Sequence, residues 1–250
     1  ENIKYLDPTL LLWRSSSQWI GGLYFLIFLL LFFSSNQFNY KLTKLTFSDE
    51  KSLNPEANIN KISMKVFILY SFLTSVVFIL FSISGVRLFD GFNLTMTVIS
   101  SGGFLPTNSL SQIIRTNTQE IVLILSFLIS MLNIFFIYNL FTKKNILREH
   151  YEDFFIIVLA IFFSIVLLLS VDSLNIFQSL VNVFSSIGTS GIGIGEVSNS
   201  FSLYLLFLTI IGGSIISTTS GIKPLRIYIL IKSSFIEIIK LVKPNNIFNQ

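Results

Sequence analysis

The sequence of 250 residues contains no cysteine, a single histidine and few charged residues. The absence of cysteine excludes a disulfide framework and any thiolate metal site. Charged residues make up 12% of the chain, which is about half of what a soluble globular protein carries. Hydrophobic residues make up 52%, and the chain has 27 Phe. Most of the surface must therefore face something other than water.

Five apolar runs are long enough to cross a bilayer as α-helices, for which about 18 residues suffice. They cover residues 10–33, 66–83, 121–141, 154–171 and 203–231, and the last run is interrupted. Basic residues lie mostly on one side of the predicted membrane, because 13 of the 17 Lys and Arg fall in the first and third connections between these runs or in the C-terminal part. An excess of Lys and Arg marks cytoplasmic segments, so the sequence predicts a cytoplasmic C-terminal tail. Anionic lipid explains the net charge of +4 without a nucleic-acid partner.

Two outer stretches, one joining the second run to the third and one joining the fourth to the fifth, repeat a pattern. Each has a short helical run followed by Ser or Thr and then Gly. Superposing Gly102 on Gly191 sets an offset of 89 residues and places Asn93 on Asn182. The pattern predicts a repeated unit of helix, short re-entrant helix, turn and helix.

The repeated turns predict a cation filter. A half-helix of about 12 residues reaches only the middle of the bilayer, and its C-terminal end carries the negative end of the helix dipole. Non-helical backbone at that depth is tolerated only where it lines water or is buried in protein. Rings of backbone carbonyls replace the hydration shell of potassium in potassium filters. The predicted ion-binding residues are Ser100, Ser101, Gly102, Gly103, Gly188, Thr189, Ser190 and Gly191.

Four segments together resemble the conducting membrane subunit of Trk/Ktr-type potassium transporters. The segment 12–22, which reads LWRSSSQWIGG, resembles the start of the last helix of the first pore unit in that family. The segments 101–104 and 189–192 resemble the second and third filters. The glycine-containing segment 212–223, followed by Arg226, resembles the interruption in the last helix of the third unit.

The resemblance implies a fold and a division of the chain. The fold is an all-α membrane protein built from potassium-channel-like units of helix, re-entrant pore helix and helix, with five spanning helices in what we interpret as a fragment. The predicted segments are the last helix of a first unit, a cytoplasmic loop, a second unit, another cytoplasmic loop, a third unit and a cytoplasmic tail, at residues 1–33, 34–65, 66–142, 143–153, 154–232 and 233–250.

The same resemblance implies potassium uptake across a bacterial inner membrane, with potassium as the substrate, no covalently bound cofactor and no enzymatic chemistry. Coupling to a second ion stays open. The implied partners are membrane lipid, a second copy of the protein and a cytoplasmic nucleotide-binding regulatory subunit. The implied gate is the interrupted helix, with Gly212, Gly213, Ser217, Thr218, Thr219, Gly221, Lys223 and Arg226.

Two other classes of function are compatible with parts of this pattern to different degrees. A secondary transporter of another cation or of a small organic solute could also use broken helices and a site in the bilayer midplane, and it remains the alternative. An intramembrane enzyme is disfavoured, because the sequence has no cysteine and its one histidine, His150, is expected to be solvated in a basic loop. Arg14, with Trp13 and Trp19 beside it, is expected to anchor the first helix at the membrane interface.

Overall fold

The computed structural model describes residues 6–34, 55–136, 139, 150–171, 174–195 and 199–242. Within these residues the secondary structure is helical and contains no strand. A short 3₁₀ turn at Leu110–Gln112 precedes the fourth α-helix. The helices are α1 (Pro8–Ser34), α2 (Pro55–Ile83), α3 (Leu88–Ile99), α4 (Asn117–Met131), α5 (Tyr151–Ser170), α6 (Ile176–Ile187), α7 (Asn199–Ile211) and α8 (Pro224–Val242).

Large apolar side chains cover the outside of the long helices. In α2, Phe72 and Ile79 are exposed, and in α5 Phe162 and Leu169 are exposed. Buried positions, in contrast, include many Ser, Thr and Asn side chains, among them Asn182 of α6. A chain with an apolar exterior and a partly polar interior is suited to lipid rather than to water. By length and composition, the segments Ser63–Ile83 and Tyr151–Ser170 are two described helices that can cross a membrane.

The short helices α3 and α6 occupy equivalent positions in the packing. Each has 12 residues, which gives a length of about 18 Å, roughly half the thickness of the bilayer core. Helix α3 packs against α1, α2 and α4, whereas α6 packs against α4, α5 and α7. Thus α1 contacts α3 as α4 contacts α6, and the contacts repeat along the chain.

Helices α4 and α6 begin with the same local device. A capping box joins Thr116 to Gln119 at the start of α4, and another joins Asn175 to Gln178 at the start of α6. In each box the side chain of the first residue accepts from a backbone N–H of the helix. The side-chain oxygen of the glutamine accepts from the backbone N–H of that first residue. These bonds satisfy N–H groups that the first turn of a helix leaves without partners.

The structure corrects two helix bounds predicted from hydropathy. The predicted third run, residues 121–141, is not one helix, because α4 ends at Met131 and Leu132 is extended. Helix α2 starts at Pro55, inside the segment 34–65 that was predicted to be a loop. The fifth run is broken at residues 212–223, where an interruption was predicted. The rest of the first predicted loop, most of the second and the end of the tail lie outside the described residues.

Candidate functional site

The turns that follow α3 and α6 close in the same way. Ser101 adopts a φ of 55° and Thr189 a φ of 56°, a left-handed conformation that costs a side-chain-bearing residue about 1–2 kcal/mol. The next residue in each turn donates its N–H back into the helix, Gly102 to the carbonyl of Thr97 at 2.8 Å and Ser190 to that of Ser185 at 3.0 Å. Each turn therefore ends its helix sharply and reverses the direction of the chain.

This geometry corrects the offset of the repeat from 89 to 88 residues. Helix α3 starts 88 residues before α6, and the left-handed residues Ser101 and Thr189 are 88 residues apart as well. Gly103 is then equivalent to Gly191, not Gly102. The predicted filter residues Ser100 and Gly188 are equivalent to each other and form the C-caps of the two helices. Residues 101–104 and 189–192 are the segments that leave the turns. We call them the second and third filter strands after the filter predicted there, although they are single backbone segments and not β-strands.

The two filter strands approach each other closely. A Cβ atom placed on Gly103 would lie 2.8 Å from the carbonyl oxygen of Ser190. The carbonyl oxygen of Ser190 therefore lies close to the backbone of the second strand, and a side chain at position 103 would require the backbone to shift. Gly191 has a φ of 66°, in the left-handed region that glycine adopts without cost. The structure brings the two predicted turns together, which the sequence alone could not show.

The predicted gate, residues 212–223, forms a closed loop between α7 and α8, which we call the gate loop. Its two ends cross where Gly212 meets Gly221: a Cβ on Gly221 would lie 2.8 Å from the Cα of Gly212. Two backbone hydrogen bonds fasten the crossing, from the N–H of Ile222 to the carbonyl of Ile210 and from the N–H of Lys223 to the carbonyl of Ile211, at 2.9 and 3.0 Å. The absence of side chains at the two glycines lets the chain cross itself at this distance.

The gate loop contacts both filter strands. The hydroxyl groups of Thr218 and Ser101 are hydrogen-bonded at 2.9 Å. The N–H of Ser220 donates to the hydroxyl of Thr189 at 3.1 Å. Ser101 and Thr189 are the equivalent left-handed residues just after the caps of α3 and α6, so the loop binds the same position in each repeat.

The gate loop also binds the end of α4. The N–H of Ser214 donates to the carbonyl of Met131 at 2.8 Å, and the N–H of Ile134 donates to the carbonyl of Ile216 at 2.9 Å. These two bonds satisfy backbone groups where α4 stops. Gly213 lies so near this end that a Cβ there would meet the carbonyl of Met131. The break in α4 and the gate loop therefore fit together as one structure.

Lys223 is buried inside the gate loop, with 4% of its surface exposed. Its ammonium group donates to the carbonyl of Thr219 at 2.5 Å, to the hydroxyl of Thr219 at 2.8 Å and to that of Ser217 at 3.3 Å. The backbone of Lys223 is left-handed, with a φ of 72°. Arg226, which was predicted to be part of the gate with Lys223, lies exposed in the first turn of α8. Of these two predicted cations, only Lys223 lies within the loop.

A buried polar cluster at the start of α5 was missed in the sequence. His150 is 1% exposed, so the prediction that it is solvated is wrong. Its Nδ1 lies 2.7 Å from Oδ2 of Asp153, and its Nε2 lies 2.9 Å from the amide nitrogen of Asn139. Oδ1 of Asp153 accepts from the N–H of Asn133 at 2.8 Å, which fixes the chain just past the break in α4. The spacing of three residues between His150 and Asp153 was the available signal.

Glu152, in the same helix turn, connects the cluster to the gate loop. One carboxylate oxygen accepts from the hydroxyl of Ser214 at 3.5 Å, and the other from the N–H of Leu225 at 3.4 Å. A carboxylate near the start of α8 also interacts favourably with the helix dipole. Within the described residues, no group of three or more His, Cys, Asp or Glu could hold a metal ion.

Comparison with known proteins places this geometry in a known fold. The potassium transporter TrkH from Vibrio parahaemolyticus superposes with a TM-score of 0.79, at 21% sequence identity, over 99% of this chain and 53% of that chain. The chain has the TrkH fold. The resemblance inferred from the four sequence motifs is thereby confirmed at the level of the fold, and so is the all-α class.

A second similar protein is an uncharacterized cation transporter of Methanocaldococcus jannaschii, 28% identical over 257 aligned positions, which cover 98% of this chain and 51% of that protein. The chain thus spans about half the length of the proteins it matches. No family model matches the sequence. The TrkH fold, together with the apolar helices, makes the chain a multi-pass membrane protein.

Proposed function

We propose that the chain forms part of the conducting subunit of a potassium transporter and holds two of its filter strands and its gate. The observation that carries the proposal is the shared position of Ser101 and Thr189. Both end a half-membrane helix in a left-handed turn, and both hydroxyls bind one loop. The names of the two similar proteins, a potassium transporter and a cation transporter, support a cation as the substrate.

The filter is proposed to use the backbone carbonyls of residues 101–103 and 189–191. The C-terminal ends of α3 and α6 direct the negative ends of their dipoles toward these turns, which favours a cation. Ser100 and Gly188 act as helix caps in this assignment. Two strands supply only half of a fourfold ring of carbonyls, so two further strands from the whole protein would complete it.

The gate loop is proposed to close the pathway in the arrangement described. It lies against both filter strands, and the ammonium group of Lys223 adds a positive charge to it. A cation leaving the filter would meet that charge and the hydrogen-bonded loop. Opening would require the bonds of Thr218 and Ser220 to the filter residues to break.

The remaining expectations concern the whole protein and stay proposals. They are uptake of potassium across a bacterial inner membrane, a cytoplasmic C-terminal tail, assembly as a homodimer and control by a cytoplasmic nucleotide-binding subunit. Transport needs no covalent chemistry, so no enzymatic activity is proposed. Coupling of potassium to a second ion would distinguish a symporter from a channel.

The experiment uses the whole protein that contains this chain, expressed in a bacterium without its own potassium uptake. Uptake of radioactive rubidium is measured for the wild type and for Gly103→Ala, whose Cβ would lie 2.8 Å from the carbonyl of Ser190. Gly21→Ala is the matched control, since nothing lies within 4 Å of a Cβ at that position. We expect Gly103→Ala to lose uptake or its preference over sodium, and Gly21→Ala to retain both.

Failure of the wild type to take up rubidium, with the protein present in the membrane, would contradict the proposal. Equal uptake and equal preference over sodium in Gly103→Ala and the wild type would contradict the filter assignment.

A further inference from the structure

One face of α1 runs along the second filter strand. Arg14, Gln18 and Gly22, spaced four residues apart, lie on the same side of the helix. The guanidinium of Arg14 lies 4.4 Å from the centre of the Phe104 ring, a cation–π contact, so Arg14 does more than anchor the helix. A Cβ on Gly22 would lie 2.9 Å from the Cβ of Ser100. Helix α1 therefore contacts the second filter strand along its length, from Ser100 at the end of α3 to Phe104.

The side-chain amide of Gln18 lies in the middle of this contact. Its nitrogen and oxygen are assigned from their hydrogen-bond partners. The hydroxyl of Thr97 gives its one proton to the carbonyl of Phe104, at 2.8 Å, so it must accept from Gln18. The amide nitrogen of Gln18 therefore donates to Thr97 at 3.1 Å, and its oxygen accepts from the N–H groups of Gly103 and Phe104, each at 3.2 Å.

These bonds decide which way the strand faces. The N–H groups of Gly103 and Phe104 point toward α1, because Gln18 accepts from both. Within each planar trans peptide the C=O points opposite to the N–H, so the carbonyls of Gly102 and Gly103, which share peptide units with these two N–H groups, point away from α1. Gly102 permits the contact, because a Cβ there would lie 2.5–2.7 Å from the amide atoms of Gln18.

The third filter strand is held differently. Its equivalent of Gly102 is Ser190, which carries a side chain. The hydroxyl of Ser185 accepts from the N–H of Ile192 at 2.8 Å, and Asn182 binds both the N–H and the carbonyl of Ile194 at 2.9 Å. Those hydrogen bonds come from α6, the short helix of the same repeat. The second strand differs from the third, because a glutamine of the preceding helix, α1, holds it.

We propose that Gln18 is a positioning residue that sets the ion preference of the second filter strand. The proposal rests on the function proposed above. Replacing Gln18 with Leu keeps a similar volume and removes three hydrogen bonds. Two of them hold the strand directly, and their loss at the low end of the usual range corresponds to about a fivefold change in an equilibrium.

The test measures rubidium and sodium uptake by the whole protein. We expect Gln18→Leu to lower the preference for rubidium by at least about fivefold with normal protein in the membrane. The control is Gln112→Leu, which changes an exposed glutamine in the 3₁₀ turn. Hydrogen exchange gives a second readout, because the amides of Gly103 and Phe104 should exchange faster in Gln18→Leu than in the wild type.

A double-mutant cycle separates this role from a general structural one. Gly102→Ala places a methyl group against the Gln18 amide and should reduce uptake. Gln18→Ala removes that obstacle, so the double variant should take up more rubidium than Gly102→Ala alone. Independent effects of the two changes, or a wild-type ion preference in Gln18→Leu, would overturn the assignment of Gln18. Absence of rubidium uptake by the wild type would instead overturn the proposed function and this assignment with it.

Discussion

Replacing Thr218 is the sharpest test of whether the structure shows the gate loop in its closed state. Its hydroxyl bonds to that of Ser101 at 2.9 Å and donates to the carbonyl of Ser130 at 3.2 Å. Replacement by Val keeps the shape of the side chain and removes both bonds. The backbone bonds of the loop to the end of α4 stay in place, so the loop should remain folded.

The magnitude follows from the number of bonds. Each hydrogen bond contributes about 0.5–1.5 kcal/mol net, so two of them stabilise the closed loop by about 1–3 kcal/mol. That range corresponds to about a 5- to 150-fold shift of the equilibrium toward the open state. If the closed state dominates in the wild type, the fraction of open protein rises by the same factor until opening is no longer limiting.

The assay is the initial rate of rubidium uptake by the whole protein in vesicles, normalised to the amount of protein. We expect Thr218→Val to raise the rate severalfold. Thr209→Val is the matched control, because the hydroxyl of Thr209 bonds only within its own helix, to the carbonyl of Leu206, among the bonds that the structure gives for it. A rate in Thr218→Val equal to or below that of the wild type, with the protein intact, would refute the reasoning.

Two further predictions concern stability. Gly213→Ala should lower the melting temperature in detergent and abolish uptake, because its Cβ would overlap the carbonyl of Met131 and overpacking typically costs about 1–3 kcal/mol; a melting temperature like that of Gly21→Ala would count against this. Asp153→Asn should also lower the melting temperature by several degrees. An amide cannot accept hydrogen bonds at both positions where the carboxylate does, and a buried group left without its partner costs about 1–3 kcal/mol. Asp90→Asn, which changes a looser pair with Arg87 at 3.8 Å, is the control for the second prediction and should melt like the wild type.

Hydropathy and turn residues were sufficient to predict the class of the fold. The two half-membrane helices follow from apolar runs that are too short to span and end in Ser, Thr and Gly. The interruption in the last run was also predictable, because Gly212, Gly213 and Gly221 lie in it together. Helix α7 ends at Ile211 and α8 begins at Pro224, so the glycines and the proline marked the break.

The break in α4 could not be predicted in this way. Residues 121–136 contain neither Gly nor Pro, so nothing local stops the helix. The chain leaves the helix because Ser214 binds the carbonyl of Met131 and Asp153 binds the N–H of Asn133. Those partners are distant in sequence, and their bonds outweigh the local preference for a continuous apolar helix.

The offset of the repeat was wrong by one residue for a related reason. Matching Gly102 to Gly191, and Asn93 to Asn182, weighs the identity of residues. The structure aligns the ends of the helices instead, where Ser101 has the same backbone conformation as Thr189. Identical residue types are a poor guide here, because the left-handed position is occupied by Ser in one repeat and Thr in the other.

The most direct test of the proposed pathway is the location of a heavy monovalent cation in the whole protein. A structure determined with thallium or rubidium should show anomalous density beside the carbonyls of residues 101–103 and 189–191, on the side away from α1. Density at that position, lost when potassium is added in excess, is the predicted result. Ordered cation density elsewhere in the molecule, with none beside these carbonyls, would contradict the account.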